Sequence, residues 1–176
     1  MNIIEHKIND NVDTRRETAI AHLLNQCFDG IHQGRSYFKQ LPHGRFLAWD
    51  GAALVGHVGF DFRVIRVGGE IVSIIGIVDL CVAEKTRGMG VGQALLRRAE
   101  TNAKGQSFAL AMADDRRIYT QTGYASLQSA DVKFLAIDEL NCHSIVQRDL
   151  TDIFMVKCLS RQTWPNGSID MLGYLF

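Results

Sequence analysis

A glycine-rich run in the middle of the chain constrains its fold more than any other stretch. Before it, the apolar segment Ile71 to Val82 predicts a strand, and after it Gln93 to Glu100 predicts a helix. The run itself supplies an arginine and three glycines, which are Arg87, Gly88, Gly90 and Gly92. Glycines let a backbone approach a ligand closely, and the positive end of a helix favours an anion. The order strand, glycine turn, helix therefore predicts a pyrophosphate site.

Two familiar phosphate-binding loops fit this run poorly. The P-loop pattern ends in Gly-Lys followed by Ser or Thr, whereas Gly92 is followed by Gln93 and Ala94. The dinucleotide pattern Gly-x-Gly-x-x-Gly matches Gly88 and Gly90, but Gln93 stands where its third glycine belongs. The pattern that remains is an arginine, two residues, Gly90, one residue and Gly92.

With this pattern the chain resembles the GNAT superfamily of acyl-CoA-dependent N-acyltransferases. The family signature is Gln or Arg, two residues, Gly, one residue, and Gly or Ala, between the fourth strand and the following helix. The resemblance implies that the loop binds the pyrophosphate of coenzyme A, through the arginine side chain or the backbone. The residues concerned are Arg87, Gly88, Met89, Gly90, Val91 and Gly92. It also implies acetyl-CoA as cosubstrate and no metal.

The same resemblance implies a fold. We expect the α+β, three-layer GNAT acyl-CoA N-acyltransferase fold, in which helices flank a mixed, mostly antiparallel sheet with a splayed pair of parallel strands. A single domain over residues 1–176 is predicted. In the family the pantetheine arm enters the splay and bonds main-chain groups of the first strand. In this chain those groups belong to Leu80, Cys81 and Val82.

Local patterns predict the individual elements. Thr14 and Glu17 form a capping-box pattern that opens a helix ending at Asp29-Gly30. The strands predicted are Arg45 to Trp49, Leu54 to Val67, Ile71 to Val82, Phe108 to Met112, Val132 to Ala136 and Ile153 to Cys158. A helix from Gly92 to Lys104 precedes the strand at Phe108, so that strand should run parallel to its predecessor. The other segments are predicted as a loop with a short helix (Ile31 to Gly44), a loop (Asn141 to Asp149) and an ordered turn (Trp164 to Asp170).

A second segment, Asp114 to Tyr124, resembles the family's next helix. It places Tyr119 four residues before a Gly-aromatic pair, and Asp114 or Asp115 can cap the helix start. The resemblance implies that Tyr119 is the general acid that protonates the leaving thiolate of coenzyme A. The alternative is an aromatic ring that only packs between helix and sheet.

Two further residues are candidates for the chemistry of the amine. Asp79 lies within the apolar strand, where a carboxylate needs a partner or a task, and it could orient or deprotonate the amine. The alternative is a strand residue facing outward. His57 is a second candidate base or substrate contact, although a lone strand histidine can be structural. Because the family uses direct attack, Cys81 is given no nucleophile role.

The strand around His57-Val58-Gly59 also resembles two branches of the superfamily. They are the nodulation-type N-acyltransferases and the aminoglycoside acetyltransferases acting on a 2′ amine, and the tail Trp164 to Gly167 resembles the end of the former. The nodulation enzymes lack the arginine that Arg87 supplies here, so the donor, acetyl or longer acyl, stays open. The expected acceptor is a primary amine of a small molecule, with an amino sugar as one option. The alternatives are a protein or peptide N-acetyltransferase and a non-catalytic acyl-CoA-binding domain.

Composition narrows the cellular setting. Nineteen basic residues balance nineteen acidic ones, so nothing predicts a nucleic-acid partner. The longest apolar run is too short for a membrane span, and the first residues lack a signal-peptide pattern. The four cysteines are widely spaced without a Cys-x-x-Cys pair, which predicts reduced, small buried side chains and a cytoplasmic location. A homodimer is possible from the resemblance alone.

Overall fold

The computed structural model describes residues 2–7, 14–138 and 140–176, with only the backbone for residues 4–7. The strands are β1 Asn2–Lys7, β2 Gly44–Asp50, β3 Ala53–Val67, β4 Glu70–Val82, β5 Phe108–Met112, β6 Ala125–Ser126, β7 Asp131–Asp138, β8 Asn141–Asp149, β9 Phe154–Cys158 and β10 Ile169–Tyr174. The helices are α1 Thr14–Cys27, α2 Val91–Asn102 and α3 Arg117–Gln121, with a 3-10 helix at Glu84–Thr86. The chain divides into two compact units.

The first unit comprises residues 1–61 and 77–102. In its described part β1, β2 and β3 form an antiparallel meander, and the predicted Asp50-Gly51 hairpin joins the last two. The apolar face of α1 (Ile20, Leu23 and Leu24) packs with Leu47 and Cys81. A side chain at Gly56 would lie 2.9 Å from both Leu95 and Val91. Glycine there lets the start of α2 lie directly on β3, which places the N-terminus of α2 beside the strands.

The second unit comprises residues 62–76 and 103–176, and its sheet is mixed. The predicted parallel pair is present, since β4 pairs with β5 from Ile74 with Phe108 to Gly76 with Leu110. Strand β10 is antiparallel to β3 and parallel to β7. Many buried residues of this unit form a cluster, which includes Ile65, Val72, Ile74, Phe108, Leu110, Val132, Phe154 and Ile169.

Several predictions about the elements are wrong. The stretch from Ile31 to Gly44 contains turns and bends rather than a short helix. The predicted loop Asn141–Asp149 is strand β8, which pairs with β7 along most of its length. The predicted turn near the C-terminus gives way to β10 at Ile169, and β1 was not predicted.

Two of the four cysteines are more exposed than predicted. All four thiols are free, but Cys142 and Cys158 are exposed, so the prediction of buried side chains is wrong for these two.

That residues 1–176 form a single domain stays a prediction, since the chain divides into two compact units. In the described ranges, no helix has the length and apolar character to cross a membrane. Among the same residues, no three His, Cys, Asp or Glu side chains are grouped so that they could hold a metal ion.

Candidate functional site

The loop between β4 and α2 has the backbone conformation that its glycines predict. Gly88 and Gly90 have φ of 78° and 79°, in the left-handed region that favours glycine. A Cβ atom built on either glycine would meet nothing within 4 Å. Conformation, rather than crowding, therefore requires glycine at these positions, and the space in front of the loop is open to a ligand.

The N-terminus of α2 adds a site for negative charge. Its first turn contains no acidic residue, and the first backbone bond of the helix runs from Ala94 N–H to the Gly90 carbonyl at 3.0 Å. The amides of a helix's first turn point toward its N-terminal end, and the helix dipole makes this end positive. Gly88, Met89 and Gly90 are exposed, while Gly92 is buried in the first turn. The accessible part of the loop is therefore shorter than the sequence pattern.

The end of β4 carries the three residues predicted to meet the pantetheine arm. Leu80 and Val82 are half-buried, and Cys81 is buried. Arg87 folds back onto this strand end, where its Nε–H donates to the Val82 carbonyl at 3.2 Å. One of the main-chain groups assigned to the arm therefore already has a protein partner.

Asp79 occupies an irregular point of β4. Its φ is 47°, a left-handed conformation that a strand residue other than glycine rarely adopts. Its carboxylate is 17% exposed, and Oδ2 lies 3.2 Å from Nε2 of His32, which is fully buried. The His32 ring lies near the rings of Phe28 and Phe38, at 5.2 and 5.8 Å between centroids. Sequence reasoning missed His32, because nothing in its loop shows that it is buried beside a strand carboxylate.

His57 lies behind Asp79 and is 1% exposed. Its Nδ1 is 2.8 Å from the carbonyl oxygen of Asp79, so Nδ1 carries the proton and donates it. Burial lowers the pKa of His57 to about 4; the bond to Asp79 opposes this, whereas the charges of Arg45 and His32 add to it. The ring is neutral near pH 7 and closed to solvent. The structure therefore brings His57 and Asp79 together, with His57 placed to hold the backbone of β4.

A buried guanidinium fixes the loop that carries His32. Arg45, on β2, is 1% exposed. Its Nη1–H donates to the Glu17 carboxylate at 3.0 Å, and its Nη2–H donates to the Ser36 carbonyl at 2.7 Å. Arg45 was not predicted as a site residue, although an arginine among apolar strand residues was a usable signal. Its bonds tie α1 and the loop to β2.

Tyr119 lies in the second unit, on α3. It is 8% exposed, and its ring meets that of Tyr124 edge-on at 5.3 Å between centroids. Asp115, one of the two predicted caps, accepts from the backbone N–H of Arg117 at 3.1 Å. Gly123, with φ of 94°, follows the helix as predicted. The contact with Tyr124 fits the packing alternative, and the catalytic role of Tyr119 stays a prediction.

A glycine loop between a strand and a helix N-terminus whose first turn has no acidic residue is typical of folds that bind phosphate groups. The family model for the acetyltransferase (GNAT) domain matches residues 11–127. The chain belongs to the GNAT acetyltransferase family.

Comparison with individual proteins agrees with this family. An uncharacterized N-acetyltransferase of Streptomyces avermitilis is 39% identical over 79 residues, which cover 43% of this chain and 19% of that protein. The chain thus spans about a fifth of the length of that curated relative.

Solved structures share the fold at low sequence identity. The Escherichia coli GNAT family N-acetyltransferase YhbS, in complex with CoA, has a TM-score of 0.64 and 19% identity, covering 97% of this chain and 88% of that chain. Eis1 from Mycobacterium abscessus has a TM-score of 0.60 and 20% identity, covering 74% of this chain and 33% of its own. These likenesses show the fold.

Proposed function

We propose that the chain is an N-acetyltransferase that moves an acetyl group from acetyl-CoA to a primary amine of a small molecule. The observation that carries the proposal is the open loop at Gly88 and Gly90 in front of α2. Left-handed glycines turn backbone N–H groups toward one point, and the helix dipole favours negative charge at the same end. A diphosphate fits this arrangement, and acetyl-CoA supplies a thioester on a diphosphate-bearing carrier.

The reaction proposed is direct attack. The neutral amine adds to the thioester carbonyl, the tetrahedral intermediate collapses, and the thiolate of coenzyme A leaves and takes a proton. Asp79 is the proposed group that orients or deprotonates the amine, because its carboxylate is partly exposed and lies 3.2 Å from Nε2 of the buried His32. Tyr119 is the proposed acid, on the family resemblance. Leu80, Cys81 and Val82 are the proposed main-chain contacts of the arm.

His57 is proposed as a positioning residue. Its Nδ1–H donates to the backbone carbonyl of Asp79. Its low pKa keeps the ring neutral, although the Asp79 side chain is a carboxylate. A ring that is 1% exposed has no room to meet an amine directly. The acceptor class rests on resemblance around His57-Val58-Gly59, so amino sugars are the first amines to test. A homodimer remains a prediction of the resemblance, and a cytoplasmic location remains a prediction of the cysteine pattern.

Calorimetry with coenzyme A, NAD and ATP tests the loop assignment. We expect coenzyme A to bind in preference to either nucleotide. A preference for NAD or ATP would remove the basis of the proposed function.

A thiol-release assay with acetyl-CoA and longer acyl-CoAs then tests turnover across amino sugars, polyamines, amino acids and peptides. Replacing Tyr119 by Phe should lower kcat by roughly 10²–10⁴-fold and leave coenzyme A binding unchanged. Preference for peptides would indicate a protein N-acetyltransferase. Coenzyme A binding without turnover of any amine would indicate a non-catalytic acyl-CoA-binding domain.

A further inference from the structure

Two cysteines of the first unit pack in one hydrophobic cluster, although 54 positions separate Cys27 from Cys81 in the sequence. Cys27 is the last residue of α1, and Cys81 is the second-last residue of β4. Cys81 belongs to the hydrophobic cluster beneath α1 and Cys27 packs against that cluster, with Cys27 Sγ 3.8 Å from the carbonyl oxygen of Val82, the residue next to Cys81. Two free thiols in one cluster on neighbouring elements are a potential dithiol site, unlike the exposed, separate Cys142 and Cys158.

Only one of the two thiols is open to small molecules. Cys27 lines a cavity of about 740 Å³, together with His22, Gln26, Leu54, Lys85 and Arg87. Cys81 is 7% exposed and does not line this cavity. An incoming reagent therefore meets Cys27 first, and Cys81 lies behind it.

The charges around Cys27 favour its thiolate. Cys27 Sγ lies 3.8 Å from the same Val82 carbonyl oxygen that accepts from Arg87 Nε–H at 3.2 Å, which brings the guanidinium close to the sulfur. The hydrogen bond from Cys81 and, after it, the charge of Arg87 lower the pKa of Cys27 from 9.0 to about 6, against the effect of burial. The same contact and burial raise the pKa of Cys81. Lys85 and Glu84 also line the cavity and carry opposite charges.

We propose that Cys27 and Cys81 form a redox-active pair, in which Cys27 attacks a low-molecular-weight disulfide that enters this cavity and Cys81 completes the exchange. A thiolate exposed at the end of a cavity next to a protonated, buried thiol has the division of roles that thiol–disulfide exchange requires. Cys81 is also a proposed main-chain contact of the arm, but neither thiol side chain has a part in the amine chemistry assigned to Asp79.

The exchange balances in two steps. The Cys27 thiolate attacks one sulfur of the disulfide, forms a mixed disulfide and releases one small thiolate, which takes a proton from water. Cys81 then loses its proton, attacks Cys27 Sγ, forms the Cys27–Cys81 disulfide and releases the second small thiolate. The small disulfide is reduced to two thiols, and the two cysteines are oxidised by the same two electrons.

The test uses the full chain carrying Cys142→Ser and Cys158→Ser, which removes the two exposed thiols. It is treated with oxidised glutathione or with the disulfide of coenzyme A, and intact mass, free thiols and cross-linked peptides are measured. We expect loss of both thiols, no retained adduct, and a peptide that joins Cys27 to Cys81. The faster of the two reagents identifies the source of the disulfide.

Two variants separate the roles of the cysteines. With Cys81→Ser, the reaction should stop at the mixed disulfide, so one small thiol stays attached. With Cys27→Ser, the remaining Cys81 should stay unmodified in the folded protein. The proposal would be overturned if both thiols remained unreacted after prolonged exposure to the disulfide. A stable mixed disulfide on the chain that retains Cys81 would also overturn it. Because these readouts need no coenzyme A binding, they fail or succeed independently of the proposed function.

Oxidation also has a consequence that rests on the proposed function. The disulfide would tie α1 to the end of β4, where Val82 and Arg87 lie. We expect the oxidised chain to bind coenzyme A more weakly than the reduced chain, and reduction by dithiothreitol to restore binding. Equal affinity of the two forms would contradict this consequence and leave the thiol chemistry to be judged by the mass measurements.

Discussion

The loop before α2 and the end of β4 both contain left-handed backbone, for opposite reasons. In the loop before α2, Gly88 and Gly90 adopt it at little steric cost and with open space around them. In β4, Asp79 adopts it as a residue with a side chain, and its neighbours hold it there. His57 binds its carbonyl, and His32 contacts its carboxylate. The local sequence determines the conformation of the two glycines, whereas residues distant in the chain impose that of Asp79.

The largest effect should come from the charge of Asp79. Asn tolerates the left-handed conformation as well as Asp does, so Asp79→Asn removes the carboxylate while keeping the backbone. If the strained position exists for catalysis, turnover in the thiol-release assay should fall by roughly 10²–10⁴-fold. Resistance to urea should hardly change. Asp50→Asn, which removes an exposed carboxylate at the end of β2, is the control; equal turnover in the two variants would make Asp79 a structural residue.

The next effect tests whether His57 holds the strand. His57→Ala removes a buried ring and the donor to the Asp79 carbonyl, and should lower the free energy of unfolding by about 2–5 kcal/mol. His57→Asn retains a donor near the position of Nδ1 and should lose clearly less. Urea denaturation followed by circular dichroism measures both. If Asn costs as much as Ala, the hydrogen bond is not what supports Asp79.

Acid should weaken this region through the same histidine. The pKa of His57 is about 4 in the folded chain against an ordinary 6.5, so the unfolded chain binds its proton first. Stability from the neutral ring is complete above pH 6.5 and is lost as pH falls toward 4, by up to about 3 kcal/mol. His32, Asp79 and Arg45 are the groups whose charges act on the ring. Comparing urea midpoints of wild type and His57→Asn from pH 7 to pH 4.5 isolates the histidine; parallel curves would exclude this linkage.

The smallest effect concerns the stability of the loop. Gly88→Ala and Gly90→Ala place a Cβ on a left-handed backbone, which should cost about 1 kcal/mol each. Gly51→Ala is a matched control, since Gly51 has φ of 60° and open space in the β2–β3 hairpin. All three variants should lose similar stability. Only the two loop variants should weaken coenzyme A binding, by about tenfold, as backbone donors turn away. Equal affinities across the three would show that the loop does not bind the diphosphate.

The parts of the fold that the sequence predicts are those with strong local patterns. The apolar run of β4, the helical spacing of α2 and the glycines between them were predicted within two residues of their observed limits. The parallel pairing of β5 followed from the intervening helix and is confirmed. These features depend on period and on glycine conformation, which neighbouring residues determine.

The missed parts depend on distant contacts. Strand β8 is almost entirely exposed and polar, so no alternation distinguishes it from a loop until β7 pairs with it. Strand β10 acquires its place from β3 and β7, which lie far from it in sequence. The buried contacts of Asp79 are of the same kind, because His32 and His57 come from other elements. The loop of the candidate site was therefore predictable, and its polar cluster was not.

The ring proton of His57 can serve as a hydrogen-exchange probe of local opening. It lies on Nδ1, is hydrogen-bonded to the Asp79 carbonyl and is shielded from water. In deuterated buffer it can be replaced only when the strands around it open. Its exchange rate, followed by nitrogen-detected magnetic resonance, would report how often the strands around His57 open.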